Sequence, residues 1–593
     1  MNMEIQQRLA RLRDLMKEKG IGAYLINGSD PHMSEYMPER WQTREFISNF
    51  SGSYGWLAIT MDKAVLWTDS RYYLQAGEQL KGTGIDMLKA RLPETISVED
   101  WVANEIKAGD KVGFDGSCYS TGEVLSFEKV FSVHQIEMDD ASDLLDKVWI
   151  NRPEIPSAKA FFHPVKWAGK SRTEKFDGIR AEFAKQGADA TIVAALDDLA
   201  WTFNLRGSDV DYNPVVLGFS IISKDAVHLF IDQNKLNAEQ ITELKNDGVE
   251  LKDYSVFYDE LAKIEGKTFL VDPDRTNSLI YQILNKKNEV ILGLSIAALM
   301  KSIKNEAELE GMKKAHVADG LALLDFQMWL EEALQNETVT EWDVAQKLIE
   351  FRSKRIGYVG PSFFPIIGYK DHGAIVHFHV SPESANEVKP EGVLLFDSGG
   401  QYEFGTTDIT RTIALGPVTD LVKKDFTLVL KGVIALTEIK FPDTTIGCHL
   451  DVLARKALWD NYQNYGHGTG HGVGAFMNVH EGPGSIRPEL NKQPVRVGNV
   501  FSNEPGFYRE GLHGVRTENL VYCLEDQSNE FGNFLQFKTL TLYPIDTRLL
   551  DFNLLTKEEK DWINKYHQSV LSSLSYFTNT DQFNLLKRLT QPI

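Results

Sequence analysis

Val393-Leu394-Leu395-Phe396 is a run of four apolar residues that ends on Asp397-Ser398-Gly399-Gly400, and a second strand-like stretch from Thr406 carries Asp408. An aspartate in a turn ordinarily serves the backbone of that turn. One that closes an apolar strand is expected to be buried, and an unpaired buried carboxylate costs on the order of several kcal/mol. The two aspartates are therefore expected on neighbouring strands of one hairpin, with a cation close by. Farther on, Tyr465-Gly466-His467-Gly468-Thr469-Gly470-His471-Gly472-Val473-Gly474 sets two histidines among five glycines, and His480-Glu481 begins nine residues after the second. Three of the chain's 14 histidines thus fall within 14 positions, in a setting where glycine lets backbone and substrate come close. Packing alone does not call for that pattern. Glu504, in Val500-Phe501-Ser502-Asn503-Glu504-Pro505-Gly506, and Glu518, in Gly514-Val515-Arg516-Thr517-Glu518-Asn519, each follow a short apolar strand pattern. Alone, either reads as a surface glutamate. With Asp397, Asp408 and His471 they make four carboxylates and one imidazole without a thiolate, a donor set for manganese, cobalt or zinc rather than for an iron–sulfur cluster or a zinc finger. Four carboxylates offset two divalent ions and leave a bridging hydroxide as nucleophile.

The elements that position these residues come last in a long chain. At 593 residues it exceeds what one hydrophobic core organises, so roughly two to four domains are expected. A repeat is visible. Leu12-Arg13 through Gly20 to Ala23-Tyr24-Leu25-Ile26 reads as helix, glycine stop and strand, and Ile179-Arg180 through Gly187 to Ala190-Thr191-Ile192-Val193 repeats it. Phe46 to Gly52 and Trp201 to Gly207 then open similar aromatic-rich segments. The pattern predicts two related α/β modules, residues 1–155 and 156–300, parted at the linker-like Asn151-Arg152-Pro153-Glu154-Ile155-Pro156, and a third domain over 301–593. A long amphipathic helix over Asn305 to Glu332 opens that domain, short strands between glycine-rich turns follow from Val388, and helix returns at Thr556 to Leu574.

The 84 acidic against 63 basic residues, a formal charge of −21, disfavour nucleic acid and anionic membrane as partners. Cys118, Cys448 and Cys523 show no Cys-x-x-Cys spacing, which fits a reducing compartment. The first 20 residues lack an apolar signal core, and nowhere is there an apolar run of about 18 residues. An untargeted cytoplasmic protein is expected.

The five carboxylate and imidazole positions, in type and spacing, resemble the metallopeptidase family that includes methionine aminopeptidase, prolidase and aminopeptidase P, whose catalytic domain is the "pita-bread" fold. Within it, His467-Gly468-Thr469-Gly470-His471-Gly472-Val473-Gly474 and Asn478-Val479-His480-Glu481-Gly482-Pro483 look like the long, three-domain cytosolic Xaa-Pro aminopeptidases. So do Trp67-Thr68-Asp69-Ser70-Arg71-Tyr72, Asn204-Leu205-Arg206-Gly207-Ser208-Asp209-Val210 and the tail Thr590-Gln591-Pro592-Ile593. The resemblance implies an α/β (α+β) chain of two creatinase-like modules before a pita-bread catalytic domain. It implies that Asp397, Asp408, His471, Glu504 and Glu518 bind two divalent ions, Mn2+ before Zn2+ or Co2+, with Asp408 and Glu518 bridging. His377, His467 and His480 would surround the substrate, with His471 also near it, Glu504 would shuttle the proton, and Arg516 would orient a ligand from behind. Arg71 would reach an active site from the N-terminal domain, that of the partner subunit in a homodimer.

Two departures stand out. The family usually shows His-Tyr-x-Pro where this chain has His377-Phe378-His379-Val380, and Asp-Glu-Pro-Gly where it has Asn503-Glu504-Pro505-Gly506. The expected reaction is release of the N-terminal residue from peptides with proline second, Xaa-|-Pro-Yaa, by a hydroxide bridging two metals. Its rivals are a prolidase confined to Xaa-Pro dipeptides, a metal-free amidinohydrolase of the same fold, and an inactive peptide-binding module that has lost its ligands.

Overall fold

The computed structural model describes residues 2–141 and 143–593, and the chain forms two compact units: Met1–Val165 with Lys170–Leu299, and Lys166–Gly169 with Met300–Ile593. The first unit holds two six-stranded sheets. One runs, edge to edge, Asp86–Lys89, Ala64–Thr68, Trp56–Thr60, Ile21–Ile26, Lys111–Gly113, Glu137–Asp139; the other runs Val249–Lys252, Val227–Phe230, Phe219–Ser223, Ala190–Val193, Thr268–Val271, Glu289–Leu292. Order and strand sense are the same in both, with antiparallel pairing at the second and third junctions and parallel pairing elsewhere. The repeat read from sequence is thus a repeat of topology. The aromatic-rich segments match too: the helices Thr43–Ser48 and Leu196–Phe203 both end on an asparagine in the left-handed region, Asn49 and Asn204, a conformation asparagine tolerates better than most residues.

The two modules meet through reciprocal backbone bonds. Thr121 N–H donates to Thr276 O at 2.9 Å and Ser278 N–H to Tyr119 O at 2.8 Å, around an antiparallel bridge between Ser120 and Asn277, the N-cap residues of corresponding helices. A local two-fold relation follows from this exchange.

The second unit opens with the helix Glu306–Asn336, started by a capping box between Asn305 and Glu308. Its Leu324, Phe326 and Leu330 bury against Phe396 and Ile409 of two antiparallel strands, Val393–Ser398 and Ile409–Ala414, flanked by Ile366–Tyr369. A six-stranded sheet follows in the order Lys440–Pro442, Gly532–Thr539, Asn519–Asn529, Val500–Asn503, Gly470–Gly472, Glu481–Ile486. A hairpin, Gly506–Arg509 with His513–Arg516, stands beside it. The helix expected near the C-terminus spans Lys557–Leu574, with Thr556 as its cap.

One detail differs from expectation. Gly405–Thr406 is not the start of the second carboxylate strand but pairs with Gly400–Tyr402 in a separate small sheet, and the strand proper begins at Ile409. Asp408 therefore lies just outside its strand. The cause is Thr407, whose hydroxyl donates to buried Asp319 at 2.9 Å and accepts from Gly400 N–H at 3.0 Å. Arg352, paired with Asp319, reaches Ser398 O at 3.4 Å, so the crossing between the two aspartates is tied to both N-terminal helices of the unit.

Candidate metal centre

His471 sits mid-strand in Gly470–Gly472, between Glu481–Ile486 and Val500–Asn503. A Cβ on Gly470 would meet Ser502 O at 2.0 Å, and one on Gly472 would meet Glu481 O at 2.2 Å. Neighbouring backbone therefore requires both glycines. The imidazole Nδ1 donates to Gly472 O at 2.9 Å, which leaves the Nε2 lone pair 3.5 Å from Asp408 Oδ2 and 3.4 Å from Glu504 Oε1. Donor atoms of Asp408, His471 and Glu518 all lie within 4.8 Å of one another. Glu504 joins through His471 and is held by Ser502 Oγ at 3.1 Å.

Asp397 accepts from Arg516 Nη2 at 2.7 Å, the cation its burial called for. The same guanidinium donates through Nε to Thr410 Oγ1 at 3.1 Å, and Thr410 Oγ1 donates to Glu518 Oε2 at 2.9 Å. Arg516 thus steadies two carboxylates at once.

Burial, reinforced by neighbouring carboxylates, pushes Asp408 and Glu518 well above the ordinary carboxylate range. Burial raises Glu504 to about 7 despite Arg516. Two oxygens in this group, Asp397 Oδ1 and Glu518 Oε1, are buried without a hydrogen-bond partner. Crowded carboxylates that repel one another and orphaned oxygens, with an imidazole nitrogen among them, are what bound cations would relieve. The residues fit divalent ions.

The other histidines surround this group in different ways. The His480 ring stands edge-on to His471, with centroids 4.4 Å apart. His467 donates from Nδ1 to Gly468 O at 2.7 Å and accepts at Nε2 from the Tyr508 hydroxyl at 2.8 Å, which itself accepts from Arg516 Nη1 at 2.7 Å. His377 is half-buried in the segment after Lys370–Ala374. Glu341, fully buried, braces that segment by accepting from Tyr369 N–H, Asn386 N–H and the His372 ring. Of the unusual pair, His379 lies against Phe364 and Val380 is buried in the core. Arg71 belongs to the first unit, where it holds Asp69 through Nε at 3.0 Å and Nη2 at 2.9 Å.

Two sets of residues escaped sequence reading. Tyr508 links Arg516 to His467, and the available signal was Gly506, where a Cβ would meet the Tyr508 hydroxyl at 2.4 Å. The second set is Asp451 and Arg455, one turn apart on the helix Gly447–Trp459. Arg455 donates to Tyr465 O and His467 O, both at 2.7 Å, and Asp451 accepts from Thr469 Oγ1 at 2.6 Å. Together they fasten the glycine-rich segment, and their spacing alone reads as an ordinary helical ion pair.

Residues 310–525 match the model of metallopeptidase family M24 and residues 533–593 that of the C-terminal region of this peptidase, while residues 8–148 and 151–308 each match a creatinase/prolidase N-terminal domain. The chain is 40% identical to a probable Xaa-Pro aminopeptidase P from Paracoccidioides brasiliensis, over 100% of both chains. It is 38% identical to aminopeptidase P2 of Arabidopsis thaliana, over 96% of this chain and 86% of the relative. Among solved structures it resembles the X-prolyl aminopeptidase from Caenorhabditis elegans, described as a cytosolic enzyme with a di-nuclear active site, at 33% identity and a TM-score of 0.95 over 100% of both chains. An Xaa-Pro dipeptidase from Bacillus anthracis shares the fold, at 22% identity and a TM-score of 0.51 over 63% of this chain and 99% of the other.

Proposed function

The chain belongs to metallopeptidase family M24, and we propose that it removes the N-terminal residue from peptides with proline in second position. The observation that carries this reading is the buried group of Asp408, His471 and Glu518, with Asp397 and Glu504 beside it, in a chain whose full length aligns with Xaa-Pro aminopeptidases.

Asp397, Asp408, His471, Glu504 and Glu518 would hold two divalent ions; Mn2+ suits this oxygen-rich set best, ahead of Zn2+ or Co2+. When bound, such ions supply Lewis acidity and bring the ionisation of water towards neutral pH. The protein's own groups do the rest. Glu504 would take the proton released by the attacking water and pass it to the departing proline nitrogen. His480 donates a hydrogen bond to the carbonyl oxygen of the scissile bond. The Asp397–Arg516–Tyr508–His467 chain fixes the His467 ring, which would wall the substrate pocket together with His377. Proline's tertiary amide has no N–H, so a pocket shaped for the ring rather than a backbone acceptor selects it.

The reading includes a homodimer, with Arg71 extending to the site of the partner subunit, and a cytoplasmic location. Among the described residues no helix is long and apolar enough to cross a membrane. Elemental analysis should give about two ions per chain, and Asp408→Asn or Glu518→Gln should abolish turnover with the fold intact, because a neutral amide is a poorer ligand for a divalent cation than a carboxylate. Full activity after exhaustive chelation, in protein verified as metal-free, would remove the two-ion centre from the account.

A further inference from the structure

His480 is set in place by a chain segment whose register the sheet alone does not determine. Along the ladder, Gly470 faces Ile486 and His471 faces Ser485, but Gly472 faces Glu481. Gly482, Pro483 and Gly484 are extra residues on one side, so the pairing at Glu481 is not inherited from the pairing before it. Something else must fix where Glu481 sits, and His480 with it.

The candidate is a buried ion triplet. The Glu481 carboxylate is paired with Lys304 and lies 3.3 Å from Lys301 Nζ; all three side chains are at most 2% exposed. Lys304 is itself fixed, since its N–H donates to Gly498 O at 2.9 Å and the next residue, Asn305, caps the helix Glu306–Asn336. Glu481 O is pressed against Gly472, beside His471. One residue before this anchor, the His480 ring stands against His471. A buried carboxylate gripped by two ammonium groups has few alternative positions, because any slip strands a charge in a dry interior.

We propose that Glu481, Lys304 and Lys301 are positioning residues that set the register of the segment carrying His480, and so aim its imidazole at the substrate. This rests on the reading of His480 as the group that contacts the scissile carbonyl. A misplacement of about 1 Å at such a group can cost about 100-fold in rate.

A double-variant comparison tests it in the metal-loaded full chain. Glu481→Gln should lower kcat by about 10- to 100-fold, with KM and metal content within about twofold, the size of change that leaves binding unaltered. The same replacement added to His480→Ala should cost less than about twofold, because the residue it positions is gone. If Glu481→Gln does not fold, Glu481→Asp keeps the charge, draws the chain in by one methylene and should show the same dependence on His480. Equal losses in the two backgrounds, or full kcat in the glutamine variant while His480→Ala is damaged, would overturn the positioning role alone. Full kcat in His480→Ala would overturn the reading of His480 and the positioning role with it.

Discussion

Glu504 carries the most informative single-residue chemistry in the centre. Its carboxyl stands at about 7 in the folded chain, chiefly through burial, with Asp397 adding to the rise. An ordinary glutamate titrates near about 4.3. A raised carboxyl favours the folded state below its unfolded value, and that contribution is lost as pH rises through the folded value. Metal-free protein should therefore lose stability on the order of a few kcal/mol between about pH 4.5 and 7, while bound cations, which stabilise the ionised form, should cancel the loss. The melting temperature gained on adding metal should widen from pH 5 to pH 8; a constant gain would remove these carboxylates from the linkage. The group of Asp408, His471 and Glu518 was legible because carboxylates beside apolar strands and a histidine among glycines are patterns that packing does not require. Tyr508 was not, because its partners Arg516 and His467 are brought to it by the hairpin and by a bend in the glycine-rich segment, neither of which has a local sequence signal.

At the scale of elements, the glycine-rich segment depends on a helix that contributes no ligand. Asp451 and Arg455, each 2% exposed at the side chain, tie Tyr465, His467 and Thr469 to the helix Gly447–Trp459. Asp451→Ala strands the Arg455 guanidinium in the interior, which should cost about 3–5 kcal/mol by denaturant titration. A loss below about 1 kcal/mol, the value of an exposed pair, would show that the segment holds itself. The long helix from Asn305 was visible from its capping pattern and apolar spacing. The displacement of Asp408 from its strand was not, since it follows from Thr407 bonding to Asp319, a residue 88 positions earlier. Long-range polar contacts of this kind leave hydrophobic periodicity unchanged.

Over the whole molecule, the tandem modules were legible because a repeat needs no knowledge of contacts, and their shared strand order gives that repeat its physical content. Arg71 is oriented by Asp69 and by the rings of Tyr54 and Tyr72; on the proposal that it extends to the site of the partner subunit, Arg71→Ala should raise KM for longer peptides and leave metal content unchanged. Equal kinetics at every peptide length would return it to a structural role in its own module. The central claim is tested most directly by the bond that is cut. Metal-loaded enzyme presented with Xaa-Pro-Yaa, N-acetylated Xaa-Pro-Yaa, Xaa-Pro and Xaa-Ala-Yaa peptides should release the first residue from Xaa-Pro-Yaa, with little activity on the acetylated and alanine peptides and none after chelation. Strict preference for the Xaa-Pro dipeptide, or faster cleavage of Xaa-Ala-Yaa, would contradict it.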